Sequence, residues 1–349
     1  MGLLAICLLW QPAAACSTFF INKDGQLVFG RNYDWITGAG MVCTNLRGLE
    51  KASVNMNNDA VISWVSKYGS ITFNQYGKEF PTGGMNEKGL VVELMWLDGS
   101  RYPNADDRAA MNVLQWVQYQ LDNNTSIEEV IATDSKIRIS PTSPPLHYLI
   151  ADASGKAATI EFLNGKMVVH KGSELPFPVL TNSTYSSSVK AVEMVRNTTT
   201  SNVTLRDNSL QRFATACNMV EQYTLGKIDK PVIDYSFDIL KSVSSGDYTK
   251  WSIVYDLKNL KVYFKTFGYS DVKSVSYQSF DFSCSAGSKL VNMNQAMKGD
   301  IDKLFKPFDE QVNRSIVVKA ITESRDEVPI TNAQREATLA YVRTVKCKE

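Results

Sequence analysis

The strand-like runs of this chain are joined by turns too short for a crossover. Ser17 to Ile21 and Gln26 to Gly30 flank Asn22-Lys23-Asp24-Gly25, and Ala157 to Leu163 and Lys166 to His170 flank Asn164-Gly165. Asp-Gly and Asn-Gly pairs tolerate the positive φ values of tight hairpin turns. A parallel pair would need a connection of about a dozen residues or more. The sheets are therefore expected to be antiparallel. Further strands are expected at Ala60 to Val65, Ile71 to Phe73, Leu90 to Met95, Leu146 to Ala151, Trp251 to Leu257 and Leu260 to Phe267.

Helical blocks separate these strand groups. Ala110, Val113, Leu114, Val117 and Leu121 recur at helical spacing. Ser126 with Glu129 forms a capping box for a helix from Ile127 to Ile137. Leu210, Phe213, Ala214, Cys217 and Val220 form one apolar stripe with Gly226 at its end, Pro231 can open the next helix through Leu240, and Thr331 starts a last one. Strand groups alternating with helix pairs indicate an α+β fold. No repeat, linker or boundary divides the chain, so residues 16–349 are read as one domain.

Cys16 follows an apolar run, Leu3 to Trp10, and the small residues Ala13-Ala14-Ala15. Residues 1–15 read as a secretory signal cut before Cys16, although no Lys or Arg precedes the apolar run. That cut implies a periplasmic or secreted protein whose first residue carries both a thiol and an α-amine. An α-amine titrates near pH 8, so it can act as a base beside its own thiol. Two other readings of Cys16 stand beside the nucleophile: a structural cysteine in a first strand, and a lipidated cysteine of a secreted lipoprotein or binding module.

Composition narrows the alternatives. A net charge of +1 gives no basic excess for nucleic acid, and no second apolar run is long enough to span a bilayer. Five cysteines follow the leader, an odd number, so at least one is free or bridges to another chain; Cys43, Cys217, Cys284 and Cys347 allow up to two bridges. No spacing suggests zinc, and nothing calls for a cofactor. The two histidines, His147 and His170, lie in alternating apolar stretches and read as strand residues. A cysteine enzyme so poor in histidine needs another base.

The first hairpin brings the chain start beside Arg31-Asn32-Tyr33-Asp34-Trp35. A four-residue loop would oppose Cys16 to Arg31, and a two-residue turn would oppose it to Tyr33. Arg31 and Asp34 read either as a surface ion pair or as groups that steady the thiolate and the ammonium. Asn182 reads as a turn former or, through its amide, as an oxyanion donor. Arg212 falls in the first turn of its expected helix, where a cation opposes the dipole, so it should face something anionic. Trp35 and Trp96 read as core aromatics or as a substrate wall. Gly38-Ala39-Gly40 has no Rossmann setting and reads as a loop.

Together these stretches resemble the choloylglycine hydrolase family. The resemblance rests on Cys16-Ser17-Thr18, Gly30-Arg31-Asn32-Tyr33-Asp34, Gly84-Met85-Asn86-Glu87-Lys88-Gly89-Leu90, Pro145-Leu146-His147-Tyr148, Asp152-Ala153-Ser154-Gly155, Leu180-Thr181-Asn182-Ser183 and Arg212-Phe213. It implies a four-layer αββα N-terminal-nucleophile hydrolase, with two antiparallel sheets, that cleaves linear C–N amide bonds. It places the nucleophile on Cys16, the amine-orienting aspartate on Asp34, supporting arginines on Arg31 and Arg212, and oxyanion donors on Asn182 and the Trp96 backbone N–H. An aromatic residue at position 96 favours a penicillin V acylase over a bile salt hydrolase. The expected partner is a small N-acyl amide with an aryl or apolar acyl group, such as penicillin V or an N-acyl homoserine lactone. The short stretch from Asn182 to Arg212 leaves a homo-oligomer open but argues against a tetramer, and the extension past about Asp300 has no counterpart that the resemblance places.

Overall fold

The computed structural model describes residues 15–54, 59–197 and 207–348. The leader, save Ala15, lies outside the described residues. Two large sheets dominate. One has seven strands in the order Val179–Leu180, Ser17–Lys23, Gln26–Asp34, Thr249–Asp256, Lys261–Thr266, Tyr269–Ser276, Gly299–Asp300. The other has nine: Lys166–Lys171, Ala157–Leu163, Leu146–Ala151, Val91–Trp96, Pro81–Asn86, Ser70–Asn74, Met41–Asn45, Lys289–Asn292, Lys306–Pro307. Pairing in both is antiparallel, as the tight turns require, except that Gly299–Asp300 joins the edge of the first sheet in parallel.

The sheets face each other across an apolar core that contains Phe19, Phe29, Phe73, Met95 and Phe264. Each such side chain, taken fully from water, contributes roughly 1.5–3 kcal/mol. Helices Asn208–Thr224 and Val232–Ser242 cover the outer face of the seven-stranded sheet, packing on Ser17–Lys23 and Gln26–Asp34. Helix Val113–Asn123 covers the nine-stranded sheet over a second core that includes Trp116, Tyr148 and Phe162. Helix, sheet, sheet, helix is the four-layer sandwich.

The first hairpin closes by a two-residue turn. Lys23 pairs with Gln26 and Ser17 with Asn32, while Asp24 and Gly25 both hold positive φ (50° and 77°). This register sets Cys16 at the level of Tyr33 and rejects the four-residue loop. It also extends the second strand to Asp34, so Arg31, Asn32 and Asp34 lie on a buried central strand rather than in a surface loop. The ion-pair reading of a surface strand end falls with it.

Two expected helices are trimmed. Ala110 belongs to a short strand, Ala109–Met111, and the Val113 helix starts only after the Asn112 cap. The capping box of Ser126 and Glu129 is present, but its helix ends at Ala132. Thr133, Asp134 and Ser135 then make a single 3₁₀ turn, because their short polar side chains compete for backbone groups. Ile137–Ile139 pairs in parallel with Ala109–Met111 instead.

The C-terminal residues form a third helical cluster. Helix Glu310–Glu323 packs Ile316 and Ala320 against Met41, Cys43 and Leu290, and helix Asn332–Tyr341 adds Leu339 beside Val317. A Cys284–Cys347 disulfide pins the end of the chain, while Cys16, Cys43 and Cys217 are free and buried. The bridge closes a loop with a sequence separation of 63. Loop entropy puts its contribution at about 4 kcal/mol. A Cys284→Ser, Cys347→Ser double variant is therefore expected to lose up to about that much in urea unfolding.

Candidate active site

The start of the first strand, the end of the second and the start of helix Asn208–Thr224 converge on Cys16. Its thiol is 3% exposed and points at the Asp34 carbonyl, with Sγ 3.7 Å from the oxygen. Burial raises the thiol above its usual range, and the Arg31 guanidinium pulls it back down. Ala15 is joined to the backbone nitrogen of Cys16 and is itself buried.

Asp34 lies wholly in the interior, and neither carboxylate oxygen has a hydrogen-bond partner among the described residues. Burial lifts its carboxyl to about 6, and the nearby hydroxyls of Thr249 and Ser245 temper that rise without closing a bond to it. A buried carboxylate without a partner is costly. The sign of its pH dependence follows. An acid whose folded value lies above its unfolded value of 3.8 binds more protons when native, so stability rises as pH falls from about 6 towards 4. A chain that retains Ala15 is expected to show that gain in thermal unfolding, and Asp34→Asn to lose it. A new ammonium at Cys16 would favour the carboxylate and move the window downward.

Arg31 does not bond to Asp34. Its guanidinium forms a salt bridge with Glu93 and donates to the carbonyls of Thr82 (3.0 Å) and Leu94 (2.9 Å). Both charged side chains are fully buried. Tyr255 donates to the other Glu93 oxygen. Gly83 makes room for this carboxylate, since a Cβ there would come within 1.9 Å of it. Arg31 thus acts on the thiol through its field, from a position fixed by Glu93.

Arg212 stands one turn further into its helix than expected, because the helix begins at Asn208 behind the Asp207 cap. Its hydrogen bonds go to neutral acceptors, while the anionic neighbour that its position calls for is Asp34, which acts on it through charge without a direct bond. Nη1 donates to the Cys16 carbonyl (2.6 Å) and to Ser17 Oγ (2.7 Å), Nη2 to Asn182 Oδ1 (2.9 Å), and Nε to Asn208 Oδ1 (2.8 Å). One side chain thereby ties the strand that follows Cys16 to Asn182.

Asn182 is held at its backbone N–H, at its amide oxygen by Arg212 and at one amide N–H. Its backbone N–H donates to Ser209 Oγ (2.9 Å) and its amide donates to the Trp96 carbonyl (2.8 Å). The second amide N–H has no protein partner among the described residues. Leu97 N–H donates to the Pro145 carbonyl at 3.0 Å, so the neighbouring Trp96–Leu146 couple is a non-hydrogen-bonded pair. The N–H and C=O of Trp96 therefore both face away from that strand, on the side where Asn182 stands. Trp35 and Trp96 meet beside these groups with ring centroids 5.8 Å apart and planes tilted by 31°.

The histidines are occupied elsewhere, on strands as expected. His147 donates from Nε2 to the Thr181 carbonyl at 2.7 Å, bracing the residue before Asn182. His170 lies 3.2 Å from the Thr159 hydroxyl. Sequence reasoning missed Glu93, Ser209 and this bracing role of His147. Glu93 had a signal: a lone carboxylate in Leu90-Val91-Val92-Glu93-Leu94-Met95 must find a buried cation.

This geometry agrees with what the chain resembles among known proteins. Residues 16–222 match the family described as linear amide C–N hydrolases, choloylglycine hydrolase family. The chain belongs to the choloylglycine hydrolase family. It is a linear amide C–N hydrolase. Penicillin V acylase of Pectobacterium atrosepticum is 26% identical to this family member over 292 residues, 70% of this chain and 77% of that protein. The structure of penicillin V acylase from Agrobacterium tumefaciens superposes with a TM-score of 0.73 at 26% identity, over 84% of this chain and 98% of that one. A variant of conjugated bile acid hydrolase from Clostridium perfringens follows at 0.68 and 19% identity, over 81% and 98%, a likeness of fold. The family match begins at Cys16 and takes in Arg31, Asp34, Trp35, Trp96, Asn182 and Arg212.

Proposed function

We propose that this hydrolase is an acylase of the penicillin V type, whose nucleophile is Cys16 freed at its α-amine by cleavage after Ala15. One observation carries the reading: the buried, unpartnered carboxylate of Asp34 beside the Cys16 thiol. An ammonium released at Cys16 would give that carboxylate the charge partner it lacks. The Cys284–Cys347 bridge supports an oxidising compartment, periplasmic or outside the cell, to which the 1–15 leader would direct the chain.

The chemistry follows from the groups in place. The Cys16 amine accepts the thiol proton, with Asp34 steadying the resulting ammonium. The thiolate attacks the amide carbonyl, and the oxyanion takes hydrogen bonds from the free Asn182 amide N–H and the Trp96 N–H. The ammonium passes its proton to the leaving nitrogen, the C–N bond breaks, and an acyl thioester remains on Cys16. Water, deprotonated by the same amine, attacks the thioester, and the acid departs as sulfur recovers its proton. Arg31 lowers the cost of negative charge on sulfur, and Arg212 holds Asn182 at its station.

The acyl group is assigned to the Trp35–Trp96 wall. Two half-exposed indoles suit an aryl or long apolar acyl chain, and an offset aromatic contact adds about 0.5–1.5 kcal/mol beyond burial. A panel of penicillin V, glycocholate, taurocholate and N-acyl homoserine lactones tests this. Penicillin V or an acyl homoserine lactone should show the highest kcat/KM. A preference for the bile salts would overturn the substrate assignment, and a diacylglyceryl mass on Cys16 would replace the enzyme reading with a lipoprotein.

A further inference from the structure

Trp35 is held from behind by the C-terminal helices. Its indole N–H donates to the Tyr76 hydroxyl at 2.8 Å. Tyr76 donates to Ser324 Oγ at 3.0 Å, and Ser324 donates to the Ala320 carbonyl at 2.8 Å. Each hydroxyl accepts one bond and donates one, so the relay has a single direction, from the indole to helix Glu310–Glu323. Ser324 caps that helix and is fully buried. Tyr76 packs against both apolar clusters of the C-terminal helices.

A second grip acts two residues along. Thr37 is buried and donates to the carboxylate of Glu323, while its own hydroxyl accepts from the Ala39 N–H at 3.2 Å. The Thr37 carbonyl accepts from Gln75 Nε2 at 2.9 Å, and Gln75 Oε1 accepts from the Tyr33 hydroxyl at 2.7 Å. The loop that carries Trp35 is thus fixed to Glu323 and Ser324, far away in sequence.

We propose that Tyr76, Ser324 and Glu323 are specificity-determining positioning residues, and that the segment past Asp300 forms the rear support of the acyl pocket. This inference rests on the acylase reading of the Trp35–Trp96 wall. The physical reason is selective. An indole freed of its N–H anchor can turn about two torsions, and an aryl acyl group stacked on it loses a defined face. A short acyl group makes little use of that face. None of the three residues touches Cys16, Asp34, Asn182 or Arg212 among the described contacts, so the nucleophile itself stays in register.

Tyr76→Phe and Ser324→Ala test this, with kcat/KM measured on penicillin V and on the acetyl amide of the same amine. One lost hydrogen bond is worth about 1 kcal/mol, so the phenoxyacetyl-to-acetyl ratio should fall about fivefold, chiefly through KM. Trp35 fluorescence, taken as the difference from a Trp35→Phe background, should shift in both variants. An unchanged ratio, or an equal loss on both substrates, with unchanged thermal stability would overturn the proposal. A wild-type protein that cleaves neither amide would sink the acylase reading instead. The fluorescence comparison then decides the support alone, and an unshifted Trp35 emission in Tyr76→Phe refutes it. Should Tyr76→Phe fail to fold, Ser324→Ala keeps the aromatic packing and carries the same readouts.

Discussion

Replacing Cys16 with alanine is expected to abolish amide hydrolysis and to leave the fold in place. The side chain is buried among apolar neighbours, so loss of one sulfur removes little packing. The catalytic loss is of another order. Without the thiolate no acyl-enzyme forms, and the Asn182 and Trp96 donors have no tetrahedral centre to stabilise. Removing a covalent nucleophile from a hydrolase costs roughly 10⁴-fold or more in kcat, because the remaining groups act only in concert with it. Burst kinetics should vanish with steady-state turnover, whereas thermal unfolding should change by only a few degrees. A Cys16→Ala protein with even a tenth of the wild-type kcat would remove Cys16 from the mechanism.

Arg31→Met is expected to have the largest effect on stability. Arg31 and Glu93 are a fully buried pair, and the guanidinium also serves two backbone carbonyls. Removing the cation leaves a buried carboxylate and two unpaired acceptors, a change worth about 3–5 kcal/mol. The cost should depend on pH. Burial already pushes the Glu93 carboxyl upward, and Arg31 is the main force pulling it back. Without Arg31 the folded protein holds its proton to higher pH than the unfolded chain does, so the variant should be less destabilised at pH 5 than at pH 8. Arg31→Met with Glu93→Gln should recover part of the loss at pH 8, because a neutral amide keeps the shape without the charge. Urea unfolding at both pH values reads this, and equal destabilisation at pH 5 and pH 8 would count against an ionised Glu93. Activity should fall in either variant, since the thiol loses the first charge that offsets its burial.

What could be read from the sequence was mostly local. Asp24-Gly25 and Asn164-Gly165 made their hairpins, with both turn residues at positive φ, and the Ser126–Glu129 box formed as its spacing requires. The apolar stripe from Leu210 lies within helix Asn208–Thr224, and Gly226 follows it at φ 72°. Chemistry carried by scarcity was also legible: two histidines on strands left Cys16 without an imidazole. What failed needed contacts distant in sequence. The ion-pair reading of Arg31 looks to Asp34, its neighbour along the chain, whereas its salt-bridge partner Glu93 comes from the opposite sheet. For Arg212 the negative neighbour, Asp34, is legible from its place near a helix start, but its direct bonds to Cys16, Ser17 and Asn182 are not. Helices Tyr185–Asn197 and Glu310–Glu323 went unread, since their apolar residues meet partners that no local pattern identifies. The Cys284–Cys347 pairing has the same cause: the sequence allows several connectivities, and only the fold brings these two together.

The central claim is that the nitrogen of Cys16 itself serves as the base, which requires it to be free. The direct measurement compares two purified forms of the otherwise identical protein, one beginning at Cys16 and one retaining Ala15, each verified by N-terminal sequencing and intact mass. An amide nitrogen cannot accept the thiol proton, and Ala15 leaves Asp34 unpaired, so the Ala15 form should be at least about 10³-fold slower in kcat/KM. Comparable turnover by the two forms would contradict the account.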